Sequence, residues 1–291
     1  MRQLRILIVI FAVLSFVGYG AYRYYEYRDT DNDAPVITAD ADRIEVSVET
    51  PDSELLAGLS ASDNVDGDVT DSLVLVSKSK FIEAGVRKLS YAAFDSHDNV
   101  GTYSREMVYT DYIPPHYSVK EPLRFLSGNS GYEYLEYISA QDCLDGDLSA
   151  QIKVTAGTRQ VADETHSEQP IYLQVTNSAG DTAALELTAS FEDYATYSAP
   201  SPALSDYLVY VKVGEEVDYR SLLTGVWSAG KVRSFEKLEV NPDADVVFNA
   251  QAVDYSTPGI YPVVYRLMET GINGLRIAVG TATLYVIVEA A

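Results

Sequence analysis

One cysteine, one tryptophan and three histidines in 291 residues remove several kinds of chemistry at the outset. A single thiol, Cys143, forms no intrachain disulfide and supplies none of the paired-cysteine spacings of a structural zinc site. Carboxylates flank it and no histidine adjoins it in sequence, so nothing local prepares it as a nucleophile. The histidines are His97, His116 and His166. Asp95-Ser96-His97-Asp98 holds the letters of a catalytic triad, but neighbours in one loop cannot face one another across a cleft, so the segment reads as a turn. No HExxH, glycine-rich phosphate loop or catalytic motif occurs. The chain reads as a non-enzyme, with no catalytic residue, no certain cofactor and no small-molecule substrate.

Basic residues are also scarce. Lys and Arg number 21 against 43 Asp and Glu, for a net charge of −22. Four of the basic groups (Arg2, Arg5, Arg23, Arg28) fall in the first 28 residues beside a single acid, Glu26, so the rest of the chain carries the whole acidic excess. Such a surface repels phosphate backbones and anionic headgroups, which excludes nucleic acid as a partner. It suits plain solvation, a divalent cation or a basic partner.

Long apolar runs are missing everywhere but one place. Ile6–Tyr22 has no charge between Arg5 and Arg23, and its 17 residues rise about 25 Å, at the short end of a membrane span. A cleavage site wants small residues at −1 and −3; with Ala21 at −1, the −3 residue is Tyr19. The exit is crowded with Tyr19, Tyr22, Tyr24, Tyr25 and Tyr27, the composition of an interfacial aromatic belt. A retained single-pass anchor is therefore expected, with the N-terminus inside and the body extracellular. Secretion after signal cleavage is the alternative.

What the chain does have is tyrosine, 23 residues, and short segments of alternating polarity. Arg43–Glu49, Ser72–Ser77, Lys88–Phe94 and Met107–Tyr109 alternate with period two, with turn residues between them. No long helical period appears beyond Asp29, and the body reads as all-β. Asp63-Asn-Val-Asp66-Gly67-Asp68 recurs as Asp142-Cys-Leu-Asp145-Gly146-Asp147, each preceded by a Ser-Ala pair (Ser60-Ala61, Ser139-Ala140). Pro35 returns as Pro114-Pro115. A turn leading into a Tyr-bearing strand closes each repeat, at Leu89-Ser-Tyr91, Ile171-Tyr172-Leu173 and Tyr261–Tyr265. The division that follows is a tip, anchor and stalk over 1–33, then modules over 34–112, 113–192 and 203–291. Glu192–Ala203 reads as a linker. Each module has room for about seven strands, the size of an immunoglobulin-like β-sandwich.

The first module resembles the bacterial immunoglobulin-like domains found in tandem on Gram-positive surface proteins and in some pesticidal crystal toxins. The shared features are Asp31-x-x-Ala34-Pro35, the Asp63…Asp66-Gly67-Asp68-Val-Thr70 loop, Gly85…Tyr91-Ala-Ala-Phe-Asp95, the Asn99-Val-Gly101 turn and Arg105…Val108. The second module keeps the Asp-Gly-Asp loop and has Asn177-Ser-Ala-Gly180 but lacks the arginine. The third keeps only Pro258-Gly-x-Tyr261 and the closing Leu284–Val288 strand. The resemblance implies a sandwich fold and a cell-surface location, with spacer or adhesion roles and no common chemistry.

The acidic loops are the candidate sites. Asp63, Asp66 and Asp68, and likewise Asp142, Asp145 and Asp147, offer hard oxygens of the kind Ca²⁺ takes, though without EF-hand spacing. The same residues suit a bare turn in which aspartates cap backbone N–H groups, and both readings stand. The run Asp29–Pro35 resembles the calcium-binding linkers between cadherin repeats, but its place beside the anchor makes it a solvated tether. The function expected is a membrane-anchored binding or spacer protein with a protein or cell-wall partner. The alternatives are a structural subunit of an envelope or secretion assembly and an accessory to cell-wall glycan synthesis.

Overall fold

The computed structural model describes residues 2–29, 31–128, 133–228 and 230–290. Helix α1 (Arg2–Asp29) comes first. It runs on past the apolar segment at its C-terminal end because Arg23–Asp29 contains no Pro or Gly to stop it. Its stretch Gln3–Tyr25 is 23 residues, about 35 Å long and enough to cross a hydrocarbon core of about 30 Å. Every side chain along that stretch is exposed. The chain falls into two compact units, Met1–Tyr112 and Ile113–Ala291.

In unit one a sandwich follows α1. Its strands are β1 (Val36–Ala39), β2 (Arg43–Val46), β3 (Leu59–Asp63), β4 (Gly67–Asp68), β5 (Val74–Lys78), β6 (Val86–Phe94) and β7 (Val100–Tyr109). One sheet has the order β1-β3-β4 and the other β2-β7-β6-β5. β1 pairs antiparallel with β3, whereas β2, four residues on, pairs parallel with β7. The opening segment therefore crosses from one sheet to the other and ties them together. Ile37, Leu59 and Ala61 from the first sheet meet Leu89, Tyr91, Ala93 and Met107 from the second in one core. The 3₁₀ turn Glu54–Leu56 is held from inside. Tyr91 Oη donates to Leu55 O at 2.8 Å, and Arg105, buried at 3% exposure, donates to Tyr91 Oη, Leu55 O and Ala57 O. That network accounts for the Tyr and the Arg in the motif.

Unit two repeats this topology twice. First come β8 (His116–Val119), β9 (Arg124–Leu126), β10 (Ile138–Asp142), β11 (Gly146–Asp147), β12 (Lys153–Ala156), β13 (Gln160–Val161), β14 (His166–Thr176) and β15 (Thr182–Glu192). Helix α2 (Tyr194–Ser198) leads into β16 (Ser201–Leu204), β17 (Leu208–Lys212), β18 (Leu223–Ser228) and β19 (Lys231–Arg233). Helix α3 (Pro242–Asp245) precedes β20 (Val246–Asn249), β21 (Gly259–Thr270) and β22 (Arg276–Glu289). In both repeats the first strand pairs antiparallel with a neighbour (β8 with β10, β16 with β18), and the second pairs parallel with the last (β9 with β15, β17 with β22). The fold is thus all-β, a series of immunoglobulin-like sandwiches behind one N-terminal apolar helix. The third repeat, least legible in sequence, has the same strand order, and Tyr265 Oη donates to Tyr219 O as Tyr91 does to Leu55 O.

The two sandwiches of unit two share one continuous core. Tyr210 Oη accepts the Tyr117 N–H at 2.9 Å, the His116 ring stacks on Tyr210 at 3.8 Å, and Tyr207 N donates to Val119 O. The segment read as a linker, Glu192–Ala203, is structured throughout. Glu192 ends β15, Asp193 caps α2 by accepting from Thr196 N, and Ala203 lies inside β16. Its Ser, Pro and Ala content imitates a linker because a capped helical turn uses the same residues.

Candidate metal centre

The Asp-Gly-Asp loops are built as turns. Gly67 and Gly146 take left-handed φ values of 76° and 73°, which close the bends between β3 and β4 and between β10 and β11. Asp63 Oδ1 accepts from Val65 N and Asp66 N, and Asp68 Oδ1 accepts from Thr70 N. Asp66 is drawn away from both, its oxygens taking the Ser96 N–H at 2.7 Å and the Ser96 hydroxyl at 2.9 Å. In the second loop Asp142 Oδ1 accepts from Leu144 N and Asp145 N, Asp145 takes Ser178 N and Oγ, and Asp147 Oδ1 takes Ser149 N and Oγ. Among the described residues, neither aspartate trio brings its three carboxylates close enough together to share an ion.

One member of the first trio does converge, with residues outside it. Carboxylate oxygens of Asp31, Asp63 and Asp95 all lie within 4.8 Å of one another. Asp31 comes from the acidic run after α1, Asp63 from the end of β3 and Asp95 from just past β6. Among the described residues, Asp31 Oδ2 and Asp63 Oδ2 are inaccessible to solvent and accept no hydrogen bond. Asp95 is 9% exposed, and its oxygens take His97 N, Asn99 N and the Asn99 amide. Burial pushes the Asp95 carboxyl up, but the Asn99 amide and the Asn99 and His97 N–H groups outweigh it and leave it lowered. Asn99 Nδ2 also donates to Asp31 O at 3.2 Å, and Asn64 Nδ2 to Asp33 Oδ2 at 3.0 Å, so two amides fasten the acidic run to the sandwich. The run is therefore held in place over Asp31–Pro35 rather than solvated as a tether. Thr30, within it, lies outside the described residues.

The Asp95–Asp98 segment is a turn, as expected. The Ser96 hydroxyl donates to Asp66, and His97 Nδ1 stands 3.2 Å from the same oxygen. In unit two a cavity of about 470 Å³ is lined by residues including Arg124, His166, Glu192 and Tyr207. Arg124 there is bound by Glu192, Ser201 and the Thr196 carbonyl.

The capping aspartates set an acid limit on stability. The Thr70 hydroxyl and N–H lower the Asp68 pKa, and the Ser149 hydroxyl and N–H lower that of Asp147. A carboxyl with a folded pKa below its unfolded one contributes stability above the unfolded value, lost as pH falls through the folded one. Thermal melts of the full chain are expected to be flat down to about pH 4 and to fall below it.

No protein-family model and no curated protein matches the chain. Among solved structures, it aligns with a CBM51-2 structure in complex with GlcNAc and INT domains from Clostridium perfringens ZmpB at 17% identity and TM-score 0.22, over 54% of this chain and 41% of that one. It aligns with the protocadherin GammaB4 extracellular domain at 11% identity and TM-score 0.22, over 90% and 52%. The EC21-23 fragment of human CDH23 aligns at 10% identity and TM-score 0.21, over 88% and 100%. The chain thus spans less than half of the first of these structures. Likeness at that level assigns no family and no function; the sandwich fold rests on this chain's own strand pairing.

Proposed function

We propose that the chain is a cell-surface binding or spacer protein, held by α1 with its N-terminus inside and its acidic sandwiches outside, and without catalysis of its own. One observation carries this reading. A 23-residue apolar stretch, exposed on every face, leads into units built of strands whose loop carboxylates are largely spent on their own backbone. A helix apolar all round and unburied by protein suits lipid as its surroundings. Sandwiches with paired strands and short hydrogen-bonded turns suit a display element, and three of them are proposed, over 34–112, 113–192 and 203–291. The partner proposed is a protein or a cell-wall component met by the outer sandwich surfaces. Phosphate-rich partners are disfavoured by the charge.

The test is topological. A C-terminally tagged full chain in its native envelope should keep its N-terminus ahead of Ile6, and protease added outside intact cells should remove the tag. A mature N-terminus near Tyr22 would make the chain secreted instead. A tag protected from outside protease would overturn the surface assignment.

A further inference from the structure

We propose that unit one binds a single calcium ion between Asp31, Asp63 and Asp95, and that the ion fastens the chain leaving α1 to the first sandwich. Two carboxylate oxygens in the cluster lack partners among the described residues. Asp31 Oδ2 and Asp63 Oδ2 are shut off from solvent and accept no hydrogen bond from any described residue, while the partner oxygen of each carboxylate is occupied, by Asp33 N and by Val65 N and Asp66 N. Three carboxylates within 4.8 Å of one another repel, and burial with two bare oxygens removes the water that would offset this. A divalent cation at their centre reverses the sign of all three interactions. The ligand set is oxygen alone, with no His or Cys, which favours a hard ion over zinc or copper. Calcium tolerates an irregular shell completed by water, whereas magnesium demands a near-ideal octahedron.

The second sandwich supplies an internal comparison. Asp142 stands where Asp63 does, with the same Oδ1 turn bonds. The residue in the place of Asp95 is Asn177: each follows the long strand before the last hairpin, and each is followed by a serine that binds the loop's middle aspartate, Ser96 to Asp66 and Ser178 to Asp145. Asn177 Nδ2 donates to Asp142 Oδ2 at 3.1 Å. The oxygen left bare in unit one is thus satisfied in unit two by an amide. The pairing at Asn64 and Asp33 is replaced there by Cys143 Sγ with the Ile113 backbone. The Asp-to-Asn exchange, together with the loss of the Asn64–Asp33 pairing, separates a cation site from a self-sufficient turn, so one ion per chain is expected.

The consequence concerns the stalk. Asp31 lies two residues beyond the end of α1. An ion held by Asp31, Asp63 and Asp95 would reinforce the Asn99 and Asn64 amides that already fasten residues 31–35 to the sandwich. The extracellular supply of calcium rests on the proposed topology, but binding by the purified chain does not, so the two can fail separately.

The experiment is calorimetric titration of CaCl₂ into the full chain in detergent micelles. One ion per chain is expected, with Kd about 10⁻⁴–10⁻³ M, the range of extracellular calcium modules. Asp95→Asn, which copies the second sandwich, should weaken binding at least tenfold, while Asp66→Asn and Asp145→Asn should leave it unchanged. Calcium should raise the melting transition of unit one and slow amide exchange over residues 31–34. Should Asp95→Asn lose its β circular dichroism, Asp31→Asn, outside the strands, carries the same test. No binding up to about ten times the upper Kd, equal binding of magnesium, or loss of binding with Asp66→Asn but not Asp95→Asn would each overturn the assignment.

Discussion

Replacing Gly101 with alanine is expected to lower the melting temperature of unit one by about 10 °C or more. A Cβ built on Gly101 falls 1.9 Å from Pro35 O and 2.8 Å from Pro35 C. Both obstacles are backbone, and neither can rotate aside as a side chain would. Pro35 has its φ fixed by the ring, and Val36, directly after it, begins the β1 pairing with β3. The added methyl therefore has to separate β7 from the opening of β1, where the two sheets are tied. Overpacking of this kind costs about 1–3 kcal/mol, and more where only backbone can yield. In a unit of this size each kcal/mol is about 4–8 °C. Gly280 is its counterpart, with a Cβ falling 2.1 Å from Pro200 O. Gly101 faces Ala93, two residues past Tyr91, and Gly280 faces Leu267, two residues past Tyr265. Calorimetry of the full chain should show Gly101→Ala moving only the transition of unit one, and Gly280→Ala only that of unit two. A shift below about 2 °C for Gly101→Ala, or below about 1 °C for Gly280→Ala in the larger unit two, at most half of what one kcal/mol yields in each, would show that the opening segment yields without cost.

Much of this architecture was legible because strands advertise themselves locally. Alternation in Lys88–Phe94 reports which side chains face the core, and the repeated Asp-Gly-Asp bend marks the same hairpin twice. The third sandwich was obscured because its β18–β19 hairpin dispenses with that bend, although its strand pairing is the same. The candidate metal centre was legible only in part. Asp63 stood out, but it was grouped with Asp66 and Asp68 because they are close in sequence. The geometry groups it instead with Asp31 and Asp95, each 32 positions away along the chain, one earlier and one later. Convergence of that kind belongs to the tertiary fold, and no local spacing announces it. One hint was available: Asp95 and Asn177 occupy matching places beside two loops that keep all three of their aspartates, which is where a difference in charge has to matter.

The second large effect is expected at Arg124. Its Nε lies 2.9 Å and 3.0 Å from the two oxygens of Glu192, Nη2 reaches Glu192 Oε2 at 2.5 Å and the Thr196 carbonyl at 2.9 Å, and Nη1 donates to Ser201 Oγ at 2.8 Å. The side chains are 11% and 9% exposed. One guanidinium thus joins β9, β15, α2 and the start of β16, which is why the stretch that reads as a linker is ordered. Arg124→Leu leaves the Glu192 carboxylate buried with only the Ser190 hydroxyl as a donor to Oε1, and losing one partner of a buried pair costs about 3–5 kcal/mol. Glu192→Leu strands the cation in the same way. The pair as a whole is worth far less, because two desolvated charges largely offset their own attraction. Arg124→Leu with Glu192→Leu should therefore unfold in denaturant closer to the wild type than either single variant, with a coupling of about 2 kcal/mol or more in the double-mutant cycle. Additive losses would mean that the arginine acts through Ser201 and Thr196 rather than through the ion pair.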